Sequence, residues 1–398
     1  MAYHAPHEAA RFHPRRGVMT ANNDFTIMVK PVGPDCNLSC SYCFYRSKAS
    51  LFSDPHPRMD MRLLERFIIA YFEQHPGPVV PFTWQGGEPL LAGLEFFEHI
   101  QRLQRRHAPE GKTAFNAVQT NATLLNRDVA RFFARNGWLV GISLDGPAAC
   151  HDVYRRRAGR PTHGQVMSGL ANLRKYRVEY NILCAVHAAN QDQPEAVYRF
   201  LRDEAGANFI QFIPIVACGQ GEPSPARVEP AAFGRFLSSV WDMWRQTDVG
   251  RVFVGHFDAA LAAHLGQPGS LCAMAQDCGR ALVLEHDGSL YTCDHFVDAE
   301  HCLGNIENQS LADLLASPTL SEFGRCKSGA LPEACQACAL RFACGGGCPK
   351  DRFSPSPGTP IAQYLCPGLT AFLTHADPDL ADMAAVIRQQ PAFRRATT

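Results

Sequence analysis

The sequence has no excess of charge of either sign: its 398 residues include 38 Lys and Arg against 38 Asp and Glu. Proteins that bind nucleic acids or membrane surfaces usually carry a basic excess, so the neutral total supports neither class. The sequence also lacks an apolar run near the roughly 18 residues that a membrane helix needs. We therefore expect neither a nucleic-acid partner nor a membrane partner.

The N-terminal segment lacks the features of an export signal. Arg15 and Arg16 are adjacent, but no apolar segment follows them, as a secretory or twin-arginine signal would require. We interpret residues 1–24 as a disordered lead and expect a cytoplasmic location. In that reducing compartment, the 16 cysteines favour metal ligation over disulfide formation.

Apolar strands and amphipathic helices alternate through the first half of the chain. Six strand-like stretches, from FTIMVKPV (25–32) to QFIPIV (211–216), are joined by five helices. Among them are the strand VVPFTW (79–84) and the helices MRLLERFIIAYFEQH (61–75) and LEFFEHIQRLQRRH (94–107). Near-continuous apolar strands indicate a buried parallel sheet, and six units predict an α/β fold with a partial (β/α)6 barrel. Functional groups in such sheets lie at the C-terminal ends of the strands. Asn126 and Gly137 are the expected N-cap and C-terminal stop of one helix.

Composition divides the chain into five segments. Residues 217–230 are rich in Gly, Pro and Ser, cysteine becomes dense after residue 271, and DLADMAAVIRQQ (379–390) shows a final helical pattern. We predict a lead (1–24), a partial barrel (25–220), a helical linker (221–270), a cysteine-rich metal-binding domain (271–370), and a C-terminal helix and tail (371–398).

The loop PDCNLSCSYCFY, directly after the first strand, carries Cys36, Cys40 and Cys43. Thiolates select zinc, copper(I) or iron–sulfur clusters. A structural zinc site needs four ligands, and no nearby side chain completes this set. A 4Fe–4S cluster held by three cysteines would leave one iron free to bind a substrate or cofactor. A zinc knuckle with a distant fourth ligand is the alternative.

The spacing C-x3-C-x2-C, with an aromatic residue before the last cysteine, resembles the radical S-adenosylmethionine (SAM) superfamily. WQGGEP (84–89), SLDGP (143–147) and QFIPIV (211–216), each at a strand end, extend the resemblance. It implies a 4Fe–4S cluster on the three cysteines, with the Gly-Gly-Glu turn at the amino group of SAM, a serine and an arginine at its carboxylate, and backbone near its adenine. The implied SAM-binding residues are Tyr42, Gly87, Ser143, Arg155 and Val216. For Arg155 the alternative is a surface charge.

The second half carries the pattern C-x9-G-x4-C, then CQACALRFACGGGC, then one last cysteine. This order is similar to the SPASM extension of peptide-modifying radical SAM enzymes, and an eighth cysteine precedes it. Eight thiolates suit two further 4Fe–4S clusters, and two zinc ribbons are the alternative. The resemblance assigns Cys272, Cys278, Cys293 and Cys348 to the first auxiliary cluster, and Cys335, Cys338, Cys344 and Cys366 to the second.

Asp294, directly after Cys293 in YTCDHF, makes the chain look like the anaerobic sulfatase-maturating enzymes, with a resemblance from about residue 25 to 367. Such enzymes oxidise a Cys or Ser of a still-unfolded sulfatase, in a Cys/Ser-x-Pro-x-Arg segment, to Cα-formylglycine. The resemblance implies Asp294 as the catalytic base, three 4Fe–4S clusters, and an electron donor such as flavodoxin or ferredoxin. We expect burial and nearby thiolates to raise the pKa of Asp294; a turn-capping role is the alternative.

Two other functions compete with this hypothesis. A SPASM maturase that installs a thioether or cross-link in a ribosomal peptide would share the fold and the cofactors. Asp294 and the eighth cysteine, Cys272, favour the sulfatase-directed function. A zinc-rich binding module without catalysis is the second alternative, and it predicts zinc rather than iron in the purified protein.

Overall fold

The computed structural model describes residues 25–216, 224–269, 271–353, 361–391 and 393. The predicted lead and part of the predicted linker lie outside the described residues. A ten-stranded sheet and the helices around it share one hydrophobic core. The strands are β1 Thr26–Lys30, β2 Val79–Trp84, β3 Thr113–Thr120, β4 Leu139–Ser143, β5 Arg156–Arg157, β6 Arg160–Pro161, β7 Tyr180–Val186, β8 Phe209–Pro214, β9 Phe253–Val254, β10 Ala281–Glu285, β11 Ser289–Tyr291 and β12 Cys302–Asn305. Ten of these strands form the sheet, and β5 and β6 pair with each other as a separate antiparallel ribbon.

Helices connect most of these strands, and two of them, Met61–Gln74 and Leu94–His107, begin at the residues predicted from their apolar spacing. The helices are α1 Met61–Gln74, α2 Leu94–His107, α3 Arg127–Asn136, α4 Ala148–Tyr154, α5 His163–Tyr176, α6 Pro194–Arg199, α7 Pro230–Thr247, α8 Gly255–His264, α9 Leu311–Leu315, α10 Pro318–Gly329, α11 Glu333–Gln336, α12 Arg341–Cys344 and α13 Cys366–Gln389. No helix among the described residues is long and apolar enough to cross a membrane.

The sheet has the order β12-β11-β10-β1-β2-β3-β4-β7-β8-β9. The six predicted strands are β1, β2, β3, β4, β7 and β8, and they pair in parallel in chain order. Their C-terminal ends therefore lie along one edge of the sheet, which we call the carboxyl edge. The loops that follow β1, β2, β4 and β8 carry the sequence-predicted SAM and cluster residues to this edge.

The cysteine-rich region continues the same sheet. Strand β10 pairs in parallel with β1 over five registered residue pairs, from Thr26–Ala281 to Lys30–Glu285. Strands β11 and β12 extend the sheet beyond β10 in antiparallel order. The sequence did not predict this pairing, because nothing in either strand identifies a partner some 250 residues away.

Local capping follows the prediction for α3. The side chain of Asn126 accepts hydrogen bonds from the amides of Asp128 and Val129, and Gly137 ends the helix with φ 65°. This left-handed conformation favours glycine, because it lacks a Cβ.

The final helix begins earlier than both the helical pattern at 379–390 and the predicted C-terminal segment (371–398). Helix α13 begins at Cys366 and continues through Pro378. Its buried positions include Leu369, Phe372 and Leu373, which follow helical spacing, and the helix packs along α7. Tertiary packing therefore outweighs the loss of a backbone hydrogen bond at the internal proline.

Candidate active site

The loop after β1 gathers the three N-terminal cysteines. The amide of Leu38 donates to Cys36 Sγ at 3.4 Å, and the amide of Cys43 donates to the carbonyl of Cys40 at 3.2 Å. Burial, together with Glu88 and the neighbouring thiols of Cys40 and Cys43, raises the pKa of the Cys36 thiol to about 12. All fifteen cysteines that the structure describes are free.

The Gly-Gly-Glu turn after β2 is bound to this cysteine loop. The amide of Gly87 donates to Gly33 O and that of Glu88 to Asp35 O, both at 2.8 Å. A Cβ on Gly87 would lie 1.9 Å from Asp35 O. The absence of a Cβ on Gly87 therefore permits close approach to the backbone of the cysteine loop.

Glu88 holds a third segment against the loop. Its fully buried carboxylate accepts hydrogen bonds from the Thr120 hydroxyl at 2.7 Å and from the Asn121 amide at 2.8 Å. The side chain of Asn121 in turn donates to Asn37 Oδ1 at 2.9 Å. Burial raises the pKa of Glu88 to about 7, although these hydrogen bonds favour the ionised form.

Asp145 joins two of the predicted SAM-binding residues. Its carboxylate accepts from Arg155 Nε at 2.8 Å, from the Tyr42 hydroxyl at 2.5 Å and from the amide of Ala185 at 3.0 Å. Burial favours the neutral acid, but Arg155 and the nearby histidines outweigh it and hold the pKa of Asp145 well below its usual range. The side chain of Arg155 is only 13% exposed, so it is not the surface charge considered as its alternative.

The other two predicted SAM-binding residues also lie at the carboxyl edge. Ser143 is the last residue of β4, and its hydroxyl accepts from Gln119 Nε2 at 3.0 Å. Val216 follows β8 and is buried. The edge thus presents an arginine, a serine and tight backbone turns next to the cysteine loop. Such groups fit the carboxylate and amino ends of an amino-acid-like cofactor.

Asp294 forms an ion pair that the sequence did not predict. Its Oδ1 lies 2.5 Å from Nζ of Lys30, the last residue of β1, and the two side chains are 16% and 1% exposed. Burial favours the neutral acid, but the ammonium group of Lys30 outweighs it, so the pKa of Asp294 is lowered. The expectation of a raised pKa was therefore wrong, because it omitted a buried cation.

Lys30 connects Asp294 with the cysteine loop. Its Nζ lies 4.5 Å from the centre of the Tyr45 ring, and Tyr45 is two residues beyond Cys43. The Tyr45 hydroxyl donates to Glu285, the register partner of Lys30 on β10. The pairing of β1 with β10 therefore brings Asp294 and the three-cysteine loop to the same side of the carboxyl edge.

Eight of the cysteines in the second half form two groups. Cys272 interacts electrostatically with the thiols of Cys278, Cys293 and Cys348, and burial raises the pKa of Cys293 to about 12. A second group has the same mutual interactions and consists of Cys335, Cys338, Cys344 and Cys366. These are the two groups that the sequence resemblance named.

Thiols are the donors that iron–sulfur clusters take, so all three cysteine groups fit the implied clusters in donor chemistry. Among the described residues, no group of three or more His, Cys, Asp or Glu side chains has the arrangement of a site for a single metal ion. Which cysteine binds which cluster stays a prediction.

Sequence reasoning missed Lys30 and did not single out Asp145. Lys30 carried a signal, because it is the one charged residue in the strand TIMVK and stands at its C-terminal end. Asp145 lies within the quoted motif SLDGP, but its partner Arg155 is on the far side of α4. Both are buried charges, which are rare in proteins unless paired.

Comparisons with known proteins agree with this geometry. The radical SAM superfamily model matches residues 31–201, and a model of the SPASM iron–sulfur cluster-binding domain matches residues 272–339. A serine-type anaerobic sulfatase-maturating enzyme of Bacteroides thetaiotaomicron is 40% identical over 385 residues, 92% of each chain. The chain belongs to the family of anaerobic sulfatase-maturating enzymes.

A cysteine-type member of this family from Clostridium perfringens is 32% identical over 91% of this chain and 99% of the relative. The solved structure of native anSMEcpe with bound AdoMet and a peptide superposes with a TM-score of 0.83 at 32% identity, over 92% of this chain and 100% of that one. The predicted fold class, a radical SAM domain followed by a SPASM domain, is confirmed.

As a member of this family the chain is a radical SAM enzyme, which uses SAM and a 4Fe–4S cluster, and its SPASM domain binds further iron–sulfur clusters. The alternative of a zinc-rich binding module without catalysis is not supported.

Proposed function

We propose that this enzyme oxidises an active-site Cys or Ser of a sulfatase to Cα-formylglycine, with Asp294 as the base. The target is a Cys/Ser-x-Pro-x-Arg segment of the still-unfolded polypeptide. One observation carries the proposal: a mostly buried carboxylate is held by Lys30 beside Cys293, in a chain that matches a sulfatase-maturating enzyme over 92% of its length.

SAM and the clusters, when bound, would supply the radical that removes a hydrogen atom from the target Cβ. They would also supply the path by which one electron leaves. Cys36, Cys40 and Cys43 would hold the first cluster. Tyr42, Gly87, Ser143, Arg155 and Val216 would hold SAM. Arg155 suits the carboxylate of SAM because a guanidinium pairs with it through two parallel hydrogen bonds, and Asp145 fixes the orientation of that guanidinium.

Asp294 would accept the proton that the target thiol or hydroxyl loses during the oxidation. An ionised carboxylate is the form that accepts a proton, and the ion pair with Lys30 favours that form. Lys30 also fixes the position of the carboxylate, since the Lys30 side chain is buried and lies between the Tyr45 ring and Asp294. Positioning of a base within hydrogen-bond reach of the target is what this chemistry requires.

The two cysteine groups of the SPASM domain would hold the two auxiliary 4Fe–4S clusters. A flavodoxin or a ferredoxin would supply electrons to the first cluster. We place the enzyme in the cytoplasm, where thiols stay reduced and where a newly made sulfatase is still unfolded.

The test is anaerobic reconstitution of the full chain with iron, sulfide, SAM and a reductant, followed by incubation with matched Cys- and Ser-containing peptides. Mass spectrometry should show conversion of one residue to formylglycine and an equivalent amount of 5′-deoxyadenosine. SAM cleavage without any change in either peptide would contradict the sulfatase-directed function while leaving the superfamily chemistry intact.

A further inference from the structure

Helix α10 presents a lysine as its one buried residue. Lys327 is 0% exposed, whereas the other residues of this helix are half-buried or exposed. Lysine is almost never fully buried without a compensating partner, because removing an ammonium group from water is costly. The burial of the Lys327 ammonium group must therefore be compensated, and the compensating groups lie in the segment against which this side chain packs.

Lys327 reaches the first auxiliary cysteine group. Its Nζ donates hydrogen bonds to the carbonyl oxygens of Cys272 at 2.8 Å and Ala273 at 3.1 Å. The same helix accepts a hydrogen bond at Gly324 O from the amide of Cys278, at 3.2 Å. Helix α10 is thus bound through polar contacts to the segment that carries two of the four cysteines.

The charge of Lys327 acts on the thiols themselves. Cys278, Cys272 and Cys348 all lie close enough to interact electrostatically with the ammonium group. The reduction potential of an iron–sulfur cluster depends on net charge, on hydrogen bonding and on solvent exposure around it. Reduction adds negative charge, and a cation that is screened from water stabilises the reduced form more than an exposed cation does.

We propose that Lys327 is a positioning residue that raises the reduction potential of the first auxiliary cluster and so equips it to accept the electron released from the substrate. This inference rests on the proposed ligation of that cluster by Cys272, Cys278, Cys293 and Cys348. The side chain contacts neither substrate nor SAM in this role; it acts through the cluster.

A purely structural role would require only the two hydrogen bonds to the carbonyl oxygens. Three substitutions separate the roles: Lys327→Arg keeps the charge, Lys327→Gln keeps a donor without charge, and Lys327→Met keeps neither. Arg325→Gln is the matched control, because Arg325 lies on the same helix and is exposed. It removes one positive charge where water screens it.

The experiment is a redox titration of the anaerobically reconstituted full chain, followed by electron paramagnetic resonance, with iron content measured for each variant. At a fixed solution potential, we expect Lys327→Gln and Lys327→Met to raise the oxidised-to-reduced ratio of one auxiliary cluster at least tenfold. This change corresponds to a reduction potential that is lower by 59 mV for a one-electron couple. Lys327→Arg and Arg325→Gln should match the wild type within about twofold, or roughly 18 mV.

A wild-type potential in Lys327→Gln, or an equal shift in Arg325→Gln, would overturn the inference. It would also be overturned if neither neutral variant incorporated the cluster while Lys327→Arg did, since the charge would then be needed for assembly rather than for potential. The ligation proposal fails separately, if Cys272→Ala and Cys348→Ala retain the iron content and all auxiliary signals of the wild type.

Discussion

At the scale of single residues, the site depends on charges that are buried in pairs. Lys30 with Asp294 and Arg155 with Asp145 both lie at the carboxyl edge, and each pair is largely excluded from water. A buried ion pair contributes little net stability, but removing one partner is costly because the other charge is left unpaired. Substitutions here should therefore affect both function and stability, and the two effects must be measured separately.

Asp294→Asn tests the proposed base. The amide keeps the shape of the side chain but cannot accept a proton, so we expect formylglycine formation to fall at least about a hundredfold, the low end for loss of general base catalysis. SAM cleavage to 5′-deoxyadenosine should continue, because that step does not use Asp294. Both products are measured by mass spectrometry in the same reaction. Full formylglycine formation would exclude the role, and Glu300→Gln, an exposed neighbour, should behave as the wild type.

Asp145→Asn tests the anchor of Arg155, with binding of SAM measured by calorimetry. We expect roughly tenfold weaker binding, because Arg155 loses the carboxylate that orients it. The variant should also be less stable at neutral pH by about 3–5 kcal/mol, the usual cost of breaking a buried pair.

The stability effect of Asp145→Asn depends on pH. The folded state lowers the pKa of Asp145 below its ordinary 3.8, so the ionised carboxylate contributes stability above that value and loses it as the pH falls further. Urea denaturation of the cluster-free protein should show the difference from wild type shrinking below about pH 4. A difference that stayed constant from pH 7 to pH 3 would contradict this. Asp128→Asn, in an exposed pair with Arg131, should change stability by at most about 0.5 kcal/mol.

At the scale of elements, the contact between α7 and α13 depends on two glycines. A Cβ on Gly368 would lie 1.9 Å from the carbonyl oxygen of Pro230, and one on Gly234 would meet the backbone of Gly368 at 2.5 Å. Backbone cannot move aside as a flexible side chain can. The two helices therefore approach closely only because neither glycine has a side chain.

Gly368→Ala should separate these helices and lower the free energy of unfolding by about 1–3 kcal/mol, the usual cost of overpacking. Chemical denaturation measures the change. Gly164→Ala in α5 is the matched control, because nothing lies within 4 Å of its added Cβ. It should be neutral or slightly stabilising, since alanine restricts the unfolded chain. Equal effects of the two substitutions would show that the close approach does not matter.

The sequence predicted those helices and strands whose bounds follow from the local spacing of apolar residues. The bounds of β2 at Val79–Trp84 and of α2 at Leu94–His107 follow from apolar spacing and are found unchanged. Helix α13 begins before the predicted helical segment, because packing against α7 outweighs the internal Pro378. Ala122 has a φ of 62°, a left-handed conformation that favours glycine, and no sequence pattern marks an alanine for it.

At the scale of the whole molecule, the cysteine-rich region and the partial barrel share one sheet. The motifs identified the cysteines and Asp294, but not how Asp294 reaches the first cysteine loop. That depends on the pairing of β10 with β1 and on the Lys30–Glu285 register, which are long-range properties. Strand partners far apart in the chain are set by the folded core as a whole, so single-strand patterns do not reveal them.

Because the cysteine-rich region and the partial barrel share one sheet, loading of the second auxiliary cluster should stabilise the entire molecule. Binding of a metal site that forms only in the folded state adds directly to the free energy of folding. We expect the double variant Cys335→Ala/Cys338→Ala to lose about one third of its iron, one cluster of three. Its single thermal transition should fall by roughly 5 °C or more, at about 2–4 °C for each kcal/mol lost. Cys326→Ala removes an exposed cysteine outside both groups and should melt as the wild type. Two separate transitions in the double variant, with the upper one at the wild-type temperature, would show instead that the SPASM domain unfolds independently of β1.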